Sequence, residues 1–418
     1  MKLIYSLGIA LYGLAIRLAS PFNSKAKLLL AGRGRTKKVL NAAINAPEKC
    51  DVRVNTGNEK WVWFHAASLG EFEQGRPVIE ELKKRQPETK VVLTFFSPSG
   101  YEIRKNYAGA DAILYLPADN RSNAKKFLDA YKPSAAVIVK YEYWYNFLTE
   151  LKRRDIPTYL ISAIFLPTQP FFKWWGGMYR EMLQCFTKLF VQDQESLELL
   201  ETIGVKHAVV TGDTRFDRVE QIAKEAKSIP QVEKFLNGAD SVVCGSTWGP
   251  DEENLFAYIN NYQGKFKWII APHEIGEGHV SKILSLCKKR VARITAMPDN
   301  VAECDVLIVD CIGMLSAIYR YGSVSYIGGG FGVGIHNTLE AAVYGVPVIF
   351  GPNHKKFREA LGLIEHGGAF AYKEQSELAE LLNTLLANDG ITKAAGASAR
   401  KYVESQLGAT PLIVQTLS

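Results

Sequence analysis

The sequence predicts an α/β chain of two doubly wound domains, each a parallel sheet with helices on both faces, behind an apolar N-terminal helix. Three observations carry that prediction. Apolar runs rich in β-branched residues alternate with helix-length amphipathic stretches; the alternation stops over 221–239 and restarts at 241; and 418 residues at roughly 150 per domain leave room for two or three domains. In the first half the runs are 61–67, 91–96, 112–116, 135–139, 158–162, 189–192 and 208–211; in the second, 241–246, 267–272, 306–309, 324–327 and 346–350. Continuous rather than alternating apolar runs read as strands buried on both faces, which calls for parallel strands and helical crossovers. The expected divisions are an anchor helix over 1–22, a first domain over 23–220, a polar linker over 221–239, and a second domain over 240–418. Helices over about 374–407 are expected to close the second domain or cross back over the first. Ligands of such sheets bind beyond the carboxyl ends of the strands, so the active site is expected in the cleft where the two domains face each other.

Composition removes several classes. With 47% hydrophobic and 22% charged residues the chain is neither disordered, nor collagenous, nor a small disulfide-stapled fold. The net charge of +7 is uneven: residues 1–50 hold nine Lys or Arg against the single acid Glu48, so the remaining chain sums to −1. The positive balance belongs to a leader, and nucleic acid is not an expected partner. Six cysteines form no CxxC pair, which favours reduced thiols. With no HExxH and no DxD, no bound metal is expected and a metal-independent chemistry is favoured.

Fourteen residues from Leu3 to Ile16 carry no charge, about 21 Å as a helix against a hydrocarbon core of roughly 30 Å. Run on to Ser20, with Arg17 reaching back to the headgroups, the helix measures about 27 Å, so that spanning and lying in the interface are both open. Lys25, Lys27, Arg33, Arg35, Lys37 and Lys38 follow and hold that side at an anionic, cytoplasmic leaflet. A signal peptide and a core helix of the first domain are the competing readings.

The richest stretch is Tyr326-Ile-Gly-Gly-Gly-Phe-Gly-Val-Gly-Ile-His-Asn-Thr-Leu-Glu340. A buried strand enters a loop with glycines at 328, 329, 330, 332 and 334, and a helix is expected near Asn337. Glycines let backbone N–H groups approach an anion and a helix N-terminus adds partial positive charge, so the stretch reads as a phosphate cradle. Asn337 is the expected helix cap, and Glu340 is placed to accept two ribose hydroxyls. Glycines serving only a tight turn, with Glu340 balancing the dipole, account for the same letters.

A second constellation, His65-Ala-Ala-Ser-Leu-Gly-Glu71, ends the first run, and Glu71 in the opening turn of a helix is placed to take a proton from an attacking hydroxyl. His65 is expected to be a packed residue. Lys140-Tyr-Glu-Tyr-Trp-Tyr-Asn146 sets Glu142 among aromatics, a setting that suits a sugar; a solvated helix start is the alternative. In Thr211-Gly-Asp-Thr-Arg-Phe-Asp217, Arg215 can neutralise a phosphate leaving group or form a salt bridge. Ser246 and Thr247 can bind phosphate or cap a helix. Ala271-Pro-His-Glu274 and Cys311-Ile-Gly-Met-Leu315 occupy corresponding rims of the second domain.

Together these motifs, in this order and across nearly the whole chain, resemble the bacterial 3-deoxy-D-manno-octulosonic acid (Kdo) transferases of lipid A assembly. The resemblance implies a GT-B fold of two Rossmann-like domains. It also implies metal-independent transfer from CMP-Kdo to a lipid A precursor with inversion at the sugar, and attachment to the cytoplasmic face of the inner membrane and its phospholipid surface. It further implies Glu71 as general base and Glu142 and Arg215 as transition-state stabilisers. The nucleotide site it implies comprises Pro272, His273, the turn Ile312-Gly313-Met314, Asn337, Thr338, Leu339 and Glu340, to which the local reading of the residues adds Ser246, Thr247 and Gly334. The chain departs from the family's habit at His273, where Arg is usual, and at Met314, where an acid is usual. Arg215 stands for Lys, and Thr338 and Tyr145 each stand for Pro. The rival readings are a UDP-sugar transferase or epimerase on the same fold, and a non-enzymatic membrane adaptor.

Overall fold

The computed structural model describes residues 2–57 and 59–417. The chain divides into two compact units, one running to Asp217 and joined by the segment from Gly408 onward, the other spanning Arg218–Leu407. The first holds strands β1 (Trp61–Ala66), β2 (Lys90–Phe95), β3 (Ala112–Tyr115), β4 (Ala135–Val139), β5 (Thr158–Ala163), β6 (Lys188–Val191) and β7 (Ala208–Val210). The second holds β8 (Ser241–Thr247), β9 (Lys267–Pro272), β10 (Val291–Arg293), β11 (Val306–Ile308), β12 (Val324–Ile327), β13 (Val348–Phe350) and β14 (Ala369–Ala371). The strand orders are β3-β2-β1-β4-β5-β6-β7 and β10-β11-β9-β8-β12-β13-β14, with every neighbouring pair of strands parallel.

Side chains of β1 alternate between two cores, which explains its uninterrupted apolar run. Trp61 and Trp63 pack with Phe127, Leu128 and Tyr131 of the helix Arg121–Tyr131, while Val62, Phe64 and Ala66 pack with Phe72, Val78 and Leu82 of the helix Leu69–Arg85. Ile413, Val414 and Leu417 of the last helix, Ala409–Leu417, join the second of these cores. In the other unit, Val242, Trp268, Ile308 and Tyr326 form one core with Leu255, Ile259, Leu378 and Leu382.

The polar segment over 221–239, expected as a linker, is mostly helical and part of the second unit. It carries the end of the helix Thr214–Glu225 and the helix Pro230–Leu236, with Pro at its start and left-handed Asn237 (φ 48°) at its end. Glu220, just before the segment in the helix Thr214–Glu225, is held by Arg400. Helices Gln375–Ala387 and Asp389–Ser405 also belong to the second unit, and the chain rejoins the first at Gly408, whose N–H and that of Thr410 are both accepted by Asp217. All six cysteines are free thiols.

The apolar leader is a helix, Lys2–Ala19, followed after a turn by Ser24–Asn45, which Asn23 caps by accepting from Ala26 N. Leu3, Ile4, Leu7, Leu11, Leu14 and Leu18 are exposed, with Leu3 at 87%. Yet the helix is docked along its length. Lys2 reaches Glu181, Tyr5 donates to Asp119 at 2.5 Å, Tyr12 stacks on Phe96 at 6.1 Å, and Ile16 is buried with Leu29 and Tyr115.

One ion pair yields a pH prediction. Arg153 and Arg154 bond the buried Glu150 at 2.6 and 2.9 Å and hold its carboxyl down at about 2. A depressed carboxyl pKa contributes stability that is complete above the unfolded value and is lost as pH falls through the folded one. The stability gap between wild type and Glu150→Gln is therefore expected to be constant above about 4.5 and to close towards pH 2, read by urea denaturation at several pH values. A gap that stays flat through that window contradicts the assignment.

Candidate functional site

In the first sheet the strand order reverses between β1 and β4, and the crevice at their carboxyl ends is where doubly wound sheets take ligands. His65, next to last in β1, is fully buried, and Glu142 lies three residues beyond β4 with its side chain 15% exposed. His65 Nε2 lies 3.0 Å from Glu142 Oε2, and Trp144 Nε1 donates to the same oxygen at 2.8 Å. On its other side the ring is held by β2: Nδ1 lies 2.9 Å from Thr94 Oγ1 and 3.1 Å from Thr94 O, and Trp63 Nε1 donates to the same hydroxyl at 2.8 Å. Trp144 Nε1 also lies 3.2 Å from His65 Nε2, so the indole bridges the ring and the carboxylate. A buried relay of Trp63, Thr94 and His65 thus orients the carboxylate.

Glu71 sits in the first turn of Leu69–Arg85, half-buried. Ser68 spends its hydroxyl on Glu71 Oε2 rather than on capping the helix backbone. Asp213, buried, accepts from Gln74 Nε2 at 3.2 Å and from Arg215 N and Nε at 2.9 Å. Burial pushes the Asp213 carboxyl up, but the charge and hydrogen bonds of Arg215, with the field of Lys140, hold it below the usual carboxylate range. Of the two readings open for Arg215, the ion pair is present: it is the partner of a buried aspartate.

The second sheet reverses between β8 and β12, and several sequence candidates converge at that point. Ser246 bends the end of β8 with φ 53°, and Thr247 O accepts from His273 N at 2.9 Å just beyond β9. The His273 ring stacks on Trp248 (4.4 Å) and on His336 (4.6 Å), while Trp248 Nε1 donates to His336 Nε2 at 3.1 Å. His336 therefore carries its ring proton on Nδ1, and burial together with neighbouring His273 lowers its pKa. Asp251 accepts from Trp248 N, Tyr326 OH and Gly329 N at 2.9, 2.7 and 2.8 Å; burial raises its pKa against the pull of those bonds. Thr247 Oγ1 donates to the buried Glu252, which also pairs with His279 at 2.9 Å.

The glycine loop is built differently from the expected cradle. The N–H of Gly328 goes to Gly245 O, that of Gly329 to Asp251, and that of Gly332 to Gly329 O, so these three amides are committed within the protein. A Cβ on Gly328 would lie 2.2 Å from Ser246 O, and one on Gly330 would lie 2.6 Å from Gly351 Cα. Close chain packing, rather than approach to an anion, is what these two positions require. The helix after the loop, Leu339–Ala342, is a single turn with Thr338 at its N-cap position making no side-chain capping bond, so little macrodipole develops there. Asn337 accepts from Leu339 N at 3.2 Å and donates to Glu340 Oε1 at 3.1 Å, orienting that carboxylate. Gly334 has φ 147°, and the Thr338 hydroxyl is buried without a hydrogen-bond partner among the described residues.

The turn Ile312-Gly313-Met314 lies between β11 and the short helix Leu315–Ile318, whose Leu315 would lie 2.9 Å from a Cβ on Gly245 of β8. Gly313 has φ 91°, Ile312 is 84% exposed, and Met314 Sδ lies 3.3 Å from Cys311 Sγ. Pro272 closes β9. Sequence reasoning missed Thr94, Trp248, Asp251 and the Glu252–His279 pair. Only Trp248 and Asp251 carried a local signal, the Trp-Gly-Pro-Asp run at a helix start.

Comparison with known proteins bears on this geometry. Residues 38–218 match the family model described as Glycos_transf_N, 3-Deoxy-D-manno-octulosonic-acid transferase (kdotransferase). A 3-deoxy-D-manno-octulosonic acid transferase of Aquifex aeolicus is 30% identical over 332 residues, which is 78% of this chain and 86% of that protein. Among solved structures, a UDP-N-acetylglucosamine 2-epimerase has a TM-score of 0.58 at 14% identity, covering 86% of this chain and 96% of its own. The MurG of Acinetobacter baumannii has a TM-score of 0.55 at 16% identity, covering 85% and 98%. At those identities the likeness is one of fold.

Proposed function

The chain belongs to the 3-deoxy-D-manno-octulosonic acid transferase family, glycosyltransferases of lipopolysaccharide biosynthesis, and we propose that it moves Kdo from CMP-Kdo to a lipid A precursor by inverting, metal-independent displacement. In this reading Glu71 removes the proton of an acceptor sugar hydroxyl, the oxygen attacks the Kdo anomeric carbon, and CMP departs to the second unit. Glu142 stabilises the transition state from its three-residue relay, and Arg215, oriented by Asp213, supplies positive charge. Ser246, Thr247, Pro272, His273, Ile312, Gly313, Met314, Gly334, Asn337, Thr338, Leu339 and Glu340 make up the donor site. The observation that carries the reading is the pair of hydrogen-bonded carboxylates, Glu71 and Glu142, after the two strands that flank the reversal of the first sheet.

Donor identity separates this from a UDP-sugar enzyme. By calorimetry CMP is expected to bind the full chain more tightly than UDP, and the reverse order overturns the reading. Glu340→Ala is expected to weaken CMP binding about tenfold, the worth of one hydrogen bond to a charged group, with the fold intact by circular dichroism. Unchanged affinity argues against a ribose contact.

The leader is proposed to hold the enzyme at the cytoplasmic face of the inner membrane, on its phospholipid surface. Docking along the whole of Lys2–Ala19 supports a helix lying in the headgroup plane, with its leucine face towards the acyl chains. Deleting residues 1–22 is expected to move the protein from the membrane pellet to the supernatant; continued sedimentation with membranes contradicts the anchor.

A further inference from the structure

We propose that the first unit carries a pocket for a phosphomonoester, walled by its two N-terminal helices and lined by neither Glu71 nor Glu142. The N-terminal basic run does not act as one stripe. Arg35 turns to Asp51 at 2.9 Å, whereas Arg33 and Lys37, four residues apart on one helix face, meet Arg17 of the preceding helix and Lys126 of Arg121–Tyr131 around a cavity of about 480 Å³. Asn120 and Asn123 complete its polar wall, and among the described residues no carboxylate lines it.

The contacts of these cations orient them without neutralising them. Arg33 Nε donates to Leu116 O at 3.2 Å, and its guanidinium lies 5.1 Å from the centre of the Phe96 ring. Lys126 donates to the neutral Asn41 Oδ1 at 3.0 Å. Burial lowers the Arg33 pKa, in keeping with a guanidinium that lacks a counter-ion. Four like charges around one cavity repel each other, and an anion relieves that repulsion. A phosphomonoester suits it best: it carries about −1.5 to −2 near neutral pH, against one negative charge for a phosphodiester, and its terminal oxygens match a guanidinium fork. The volume lies within the range of small-ligand pockets, roughly 300–1,000 Å³, leaving space for the group that bears the phosphate. Gly13 and Gly34 line the cavity with open space where a Cβ would stand. Because the pocket borders the helix with the exposed leucine face, a lipid headgroup or a soluble ester can supply the same chemistry. The inference needs nothing from the transfer reaction.

The test is co-sedimentation of the full chain with phosphatidylcholine vesicles that contain equal mole fractions of phosphatidic acid or of phosphatidylglycerol. Binding is expected to be about tenfold tighter to phosphatidic acid. Arg33→Gln is expected to remove that preference, as is the more conservative surface change Lys37→Gln. Lys38→Gln, which removes the same charge outside the cavity, should leave the preference in place. If excess glycerol 3-phosphate abolishes the preference, the pocket reads the phosphate ester alone; if the preference persists, the ligand is the lipid held in the bilayer. Equal binding to the two vesicles, or a preference kept by both pocket variants, overturns the proposal.

Discussion

Glu71→Gln is expected to lower turnover by about 10²–10⁴-fold, the usual worth of a positioned general base, while leaving CMP affinity and thermal stability unchanged. The substitution keeps size and shape, and the amide oxygen still accepts the Ser68 hydroxyl, so local structure survives. What is lost is a lone pair able to take a proton. Ser68→Ala serves as the graded companion: it frees a carboxylate oxygen without removing the base, and a loss of less than about tenfold is expected. Rates under saturating donor and acceptor give the comparison. Near-normal turnover in Glu71→Gln contradicts its role, and a matched loss of stability reassigns the effect to folding.

Asp251→Ala is expected to be the most destabilising single change in the second unit, at about 3–5 kcal/mol. The carboxylate is fully buried and ties together the turn after β8, the Tyr326 hydroxyl on β12 and the first bend of the glycine loop. Removing it leaves the buried N–H of Gly329 and the part-buried N–H of Trp248 without this partner, and each carries a desolvation cost. The Trp248, His273 and His336 stack depends on the same turn, so CMP binding is expected to fall with stability. Urea denaturation followed with CMP titration checks both. A loss below about 1 kcal/mol would show that the turn holds without this carboxylate.

The central strands were legible because burial on both faces leaves an unbroken β-branched run, as in β1, β4, β8 and β9. β10 and β14 were not. Each has three residues, and Val291-Ala-Arg293 and Ala369-Phe-Ala371 carry too little apolar length to stand out. The segment 221–239 looked like a linker because its composition is polar; the proline at 230 and the asparagine at 237 were the helix signals that composition masked. Glu71 and Glu142 stood out as acids just beyond apolar runs. The relay that orients Glu142 was hidden, since Thr94 lies 29 residues from His65 and becomes its neighbour only through parallel pairing of β1 with β2. The glycines were read for what they can offer an anion. The Ser246 carbonyl in β8 and the Gly351 backbone just after β13 that crowd two of them come from elsewhere in the chain, and no local pattern announces them.

The measurement that bears most directly on the central claim is mass analysis of a tetraacylated lipid A precursor after incubation with the full chain and CMP-Kdo. The predicted result is acceptor heavier by whole Kdo residues, with one CMP released for each residue added. No product is expected when UDP-N-acetylglucosamine replaces CMP-Kdo. An unmodified acceptor with CMP-Kdo, or conversion of the UDP-sugar in its place, would contradict the account.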